Sequence, residues 1–164
     1  MKNVLTILFT LFSFSFFFYD LLSQKNAELK NADKAVYEYI TASVEGNDQL
    51  FKKVLLPSAQ GALQAGYYAH PGLAKKMGNR YLIKRFPNHL DEKKLYYRIE
   101  FYHAINEKYY AQNLLMIKEK NGHWKSTTLG GISAREMKNA IAGHENEGVL
   151  VHTYKEGEDV VAQD

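Results

Sequence analysis

The hydrophobic period of this chain changes near residue 80, and that change limits the fold more than any other feature. Between residues 27 and 44, Leu29, Ala32, Val36, Tyr39, Ile40 and Val44 recur at steps of three and four, the spacing of an amphipathic helix with one buried stripe. From Tyr81 onward the period falls to two. In residues 94–104, Leu95, Tyr97, Ile99 and Phe101 alternate with Tyr96, Arg98, Glu100 and Tyr102, as in a strand with one face on a core. Residues 81–86, 108–120 and 123–129 have the same extended character. A chain that is helical first and extended afterwards predicts an α+β fold, with N-terminal helices packed on a four-stranded sheet.

The connections specify how those strands pair. Ile105-Asn106-Glu107 is a short hairpin loop, and Asn121-Gly122 is a strong two-residue hairpin signal, so the sheet is expected to be an antiparallel meander. Gly46 ends the first helix, Asn47 caps a second with Leu50, Phe51, Val54 and Leu55 on its apolar face, and Pro57 stops it. Residues 59–65 and 71–77 carry two further short helical patterns. After Gly130-Gly131, Ser133 and Glu136 have capping-box spacing for a helix reaching about Ala142. Residues 149–154 suit either a further short strand or a linker.

The chain begins Met1-Lys2-Asn3, and residues 4–19 then carry no charge and include six Phe. A basic start followed by such a run suits a signal peptide or a short membrane anchor. Leu21 spoils the small-x-small pattern before Ser23 that cleavage prefers, so retention is expected. The domains expected are an anchor or signal over residues 1–24, an α+β domain over 25–131, and a short helix with an acidic tail over 132–164. The tail holds six acids and Lys155 after Gly143, a net of −5. Residues 25–142 carry nineteen Lys or Arg against eleven Asp or Glu, a net of +8. With no cysteine, disulfides, thiolate nucleophiles and Cys-type zinc sites are excluded.

A long helix, short helices, then antiparallel strands ending in Gly122-His123-Trp124-Lys125 resemble the nuclear transport factor 2-like superfamily. The resemblance covers residues 27–129 and rests on element order. It implies a sheet curved around the long helix with a pocket at the open end. It also implies kinship with exported, anchored members that serve secretion channels and conjugation. None of the superfamily's catalytic constellations has a counterpart at matching spacing.

Several residue sets offer chemistry. His103, in register with the core-facing residues of its strand, would face the core or a pocket, where an imidazole serves as a structural hydrogen-bonding group or as a general base with Glu100 or a Tyr. The pairs Tyr67-Tyr68, Tyr96-Tyr97 and Tyr109-Tyr110 each place one ring on either side of an extended backbone, to pack across strands or to line an apolar pocket. Together these give Tyr97, Phe101, His103, Tyr109 and Trp124 as the candidate ligand-binding set. Arg80, Lys84, Arg85, Lys93, Lys94 and Arg98, with Tyr81 and Tyr96 between them, form a basic and aromatic cluster. It reads as a solvated strand face or a contact for headgroups or wall polymers, and no nucleic acid partner is expected.

The six histidines include no His-x-x-x-His or His-Glu-x-x-His pair, and there is no Gly-rich phosphate loop or nucleophile elbow. No metal, no cofactor and no catalytic residue is therefore expected. The chain reads as an exported or membrane-tethered binding module of the cell envelope, facing outward, or secreted if the leader is cleaved. Its partners are the membrane, through the N-terminal segment, and an envelope protein or small apolar ligand. The alternatives are a structural subunit of an envelope or conjugation-type assembly, and a small pocket enzyme with a His base.

Overall fold

The N-terminal helix α1 spans Lys2 to Glu45. In the computed structural model, residues 2–64, 81–103 and 108–152 are described, with side chains for 22–43, 45–63, 81–100 and 111–152. The chain divides into two units, residues 1–31 and 32–164. In the first, residues 22–28 of α1 are exposed. No helix among the described residues is long and apolar enough to cross a membrane, and the apolar run at residues 4–19 lies outside those with described side chains.

In the second unit α1 acquires its buried stripe, Ala32, Ala35, Val36, Tyr39, Ile40 and Ala42, at the helical period the sequence carries. Gly46, at φ 65°, ends it in a Schellman turn: the Asn47 amide donates to the Ala42 carbonyl at 2.9 Å. Asn47 then caps α2 (Asp48–Val54), its side chain accepting from the Leu50 amide at 3.1 Å. Phe51 of α2 meets Tyr39 edge-on at 5.6 Å. A 3₁₀ turn at Pro57–Ala59 and the short α3 (Gly61–Gln64) follow. The helical pattern at 71–77 falls outside the described residues.

The strands are β1 (Tyr81–Pro87), β2 (Lys94–His103), β3 (Lys108–Lys118) and β4 (Trp124–Ser126). They are followed by α4 (Ala134–Ala140), a 3₁₀ turn at Glu145–Glu147, and β5 (Val149–His152). The expectation of a four-stranded sheet is corrected to five strands among the described residues, the fifth lying in the segment for which a short strand or a linker was open. The sheet order is β4-β3-β2-β1-β5, its named pairings are all antiparallel, and it does not close on itself. A meander alone would leave β1 at the edge, but the chain after α4 returns to pair with it, with a register shift between Ile83 and Lys84.

β4 is also shorter than residues 123–129. Beyond Ser126 the chain turns toward α1, with the Ser126 hydroxyl donating to the Thr128 carbonyl at 2.9 Å and the Leu129 carbonyl accepting from the Tyr39 hydroxyl. That hydroxyl in turn accepts from Gln112 Nε2 at 3.0 Å, which ties the helix to β3.

Two glycines in this region have different structural roles. Gly122, at φ +86°, turns in open space, whereas at Gly131, φ +82°, an added Cβ would lie 2.4 Å from the Asn113 carbonyl oxygen. That close approach lets the Ile132 amide reach the same oxygen at 2.7 Å. Gly122→Ala is expected to cost about 1 kcal/mol from the left-handed backbone alone. Gly131→Ala should cost that plus about 1–3 kcal/mol of overpacking, and the difference is read from paired urea denaturation curves.

Candidate functional site

The core face of the sheet carries a charge. Arg85 pairs in register with Tyr97 and so lies on the same face as Ile83 and Ile99, both fully buried. Burying a guanidinium is costly unless it is paired, and α1 supplies the partner. Asp33 Oδ2 accepts from Arg85 Nη1 at 2.5 Å while Asp33 Oδ1 accepts from the Tyr97 hydroxyl at 2.8 Å. Both charged side chains are about six-sevenths covered. Burial, and after it the negative Asp33, push the Tyr97 hydroxyl far above its ordinary range. It therefore stays protonated and keeps donating.

Of the predicted ligand-binding set, Tyr97 and Trp124 are core residues. Trp124 Nε1 is buried with no hydrogen-bond partner among the described residues. Phe101, His103 and Tyr109 lie in β2 and β3, with Phe101 opposite Tyr110, Tyr109 opposite Tyr102 and His103 opposite Lys108. Their side chains fall outside the described residues, as do Tyr67 and Tyr68. Glu100, considered as a companion for His103, accepts from Arg98 Nε at 2.7 Å.

The basic cluster divides among different partners. Arg85 turns inward to Asp33, Arg98 is paired with Glu100, and Lys94 is paired with Asp91 at 3.0 Å. Tyr81 is buried, and burial, with Tyr37 nearby, pushes its hydroxyl up to about 12.

The two edges of the sheet are finished differently. At β4, the chain leaving α2 covers the edge: Leu55 bridges Ser126 in parallel, and the Leu56 amide donates to the Ser126 carbonyl at 3.0 Å. At β5, nothing among the described residues pairs with the outer edge. The strand is held at both ends. Gly148 sits against the Phe86 ring, where an added Cβ would come within 2.6 Å of the ring. At the other end the His152 ring lies 4.9 Å from Tyr81 and 5.7 Å from Tyr37. Between these anchors Val149 and Leu150 are each 50% exposed. Consecutive strand residues point to opposite faces, so the start of β5 is open on both.

Immediately before β5, three titratable groups converge. His89 Nε2 lies 2.5 Å from Glu147 Oε2, and His144 Nδ1 lies 2.6 Å from Glu147 Oε1. The two imidazole rings are 4.4 Å apart, and one ligand-type atom from each of the three residues lies within 4.8 Å of the others. The hydrogen bonds from His144 and then His89 hold the Glu147 carboxyl below its usual range. His144 and Glu147 are three apart on a 3₁₀ turn, whose period of three puts them on one side, and a His-x-x-Glu search would have found half of the cluster. His89, 58 residues from Glu147, leaves no local signal.

Comparison with known protein families, with curated proteins and with solved structures finds no match for the chain.

The Asp33, Arg85 and Tyr97 network makes a testable distinction. Arg85→Leu leaves Asp33 buried and unpaired and is expected to cost about 3 kcal/mol, while Tyr97→Phe removes one hydrogen bond to a charge and should cost about 2 kcal/mol. The double variant Asp33→Leu/Arg85→Leu should cost less than the sum of its single changes, because no isolated charge remains. Chemical denaturation of all four variants checks this.

Proposed function

We propose that this chain is an exported or membrane-tethered binding module of the cell envelope that takes an extended segment of a partner protein along the outer edge of β5, with which no strand among the described residues pairs. What carries the reading is the contrast between the two sheet edges: one is covered by the chain after α2, and the other presents Val149 and Leu150 half exposed on a strand anchored at both ends. An uncovered edge with apolar side chains is a template for an added strand. In such a complex main-chain hydrogen bonds supply affinity and side chains on alternate faces supply selectivity. The anchoring of β5 by Phe86 and Tyr81 reduces what must be ordered when a partner binds.

The basic start and apolar run at the N-terminus support the tether. The order of elements, long helix first and antiparallel strands after, is compatible with membership of the nuclear transport factor 2-like superfamily, which we retain as part of the proposal. A partner protein is favoured over a small apolar ligand because Tyr97 and Trp124, two of the rings offered for a ligand pocket, are built into the core.

The test is a photo-crosslinking residue at Leu150, with a control at Lys120 on the β3–β4 turn, in native membranes. A discrete adduct with another protein from Leu150 only, lost when Val149→Lys is added, is the expected result. An adduct of two copies of this chain, or equal yields at the two positions, would overturn the proposal.

A further inference from the structure

We propose that His89, His144 and Glu147 form a binding site for one divalent transition-metal ion of the zinc class. The site stands beside the β5 edge, and the proposal does not depend on what that edge binds.

The donor set is selective. Two imidazole nitrogens and one carboxylate suit zinc, copper or nickel, whereas calcium and magnesium require mainly oxygen ligands. The spacing also fits. Zinc holds nitrogen at about 2.0–2.1 Å and carboxylate oxygen at about 2.0–2.2 Å, which places ligands on a tetrahedron roughly 3.4 Å apart. The His–Glu atom pairs at 2.5 and 2.6 Å would open and the full span of 4.8 Å would contract. The adjustments run from about 0.8 to about 1.4 Å, between the tips of half-exposed side chains. The same exposure leaves a fourth position to water, as three-ligand zinc sites do.

The backbone beneath the ligands is fixed by the fold. The His144 amide donates to the Ile141 carbonyl at 2.8 Å and the Glu147 amide to the His144 carbonyl at 3.0 Å, so the 3₁₀ turn holds its two ligands on one side. Gly148 lets this turn approach Phe86 without a clash, and Arg85 pairs with Val149 just beyond it. Those contacts bring Glu147 to the strand exit that carries His89, where the Asn88 side chain accepts from the Leu90 amide at 3.0 Å and shapes the turn. A metal ion here bridges the exit of β1 to the entry of β5. It therefore reinforces the one strand of the sheet that is added from a distant part of the chain.

The probe is zinc chloride, titrated calorimetrically into the untagged 164-residue chain in detergent solution, with magnesium chloride as control. One zinc ion per chain and no magnesium binding are expected. His89→Ala and Glu147→Gln should each weaken zinc binding about 10-fold or more, and His123→Ala, an exposed histidine on the far turn, should not change it. Zinc should raise the melting temperature of the native chain and not that of Glu147→Gln. Circular dichroism confirms that each variant is folded. The proposal is overturned if zinc fails to bind, if either ligand variant binds as tightly as the native chain, or if His123→Ala weakens binding equally.

Discussion

The carboxylate of Asp33 is the point on which the helix and the sheet of the second unit agree. It accepts from Arg85 on β1 and from Tyr97 on β2, and these two residues are register partners. A guanidinium on the core side of a sheet is a liability that one well-placed anion converts into a constraint. Sliding α1 by one turn, or slipping β1 by one residue, would strand a charge among apolar side chains. Hydrophobic packing along Val36, Tyr39 and Ile40 tolerates small shifts, and the ion pair does not. Tyr39 adds a second fixed point at β3 through Gln112 and the Leu129 carbonyl.

With α1 fixed on β1 to β3, the remaining chain has two tasks, which are to finish each edge. On the β4 side this is local in space, since the residues after α2 bridge Ser126. On the β1 side the chain travels past α4 before β5 arrives, and its start is seated by a glycine against a phenylalanine ring and by the pairing of Val149 with Arg85. The two proposals made for this protein, strand addition at β5 and a metal ion at its entry, both follow from that late strand, anchored at its two ends and paired on one side among the described residues.

Much of the fold was legible in the amino-acid pattern because its signals are local. Gly46, Asn47 and Ser133 each do what their side chain or lack of one permits within a few residues. The alternation of Leu95, Tyr97 and Ile99 is reproduced in burial. The candidate site was much less legible. Tyr97 was marked for its ring and its pattern, but whether a buried tyrosine lines a cavity or donates to a carboxylate depends on a helix 64 residues away. Arg85 looked like one member of a basic strand face, and only the packing of α1 shows that it faces inward.

What the sequence determined by itself was the α+β class, the ends of most helices, the antiparallel pairing of β1 to β4 and the exclusion of cysteine chemistry. Each follows from side-chain period, backbone freedom at glycine or composition, and acts over one turn or one hairpin. What only the tertiary structure decided was that β5 joins the sheet next to β1, that Arg85 is neutralised from the helix, and that His89 meets His144 and Glu147. Those contacts join residues some fifty or more positions apart. They exist because the sheet and α1 fold the chain back on itself, a fact that no window of neighbouring residues contains.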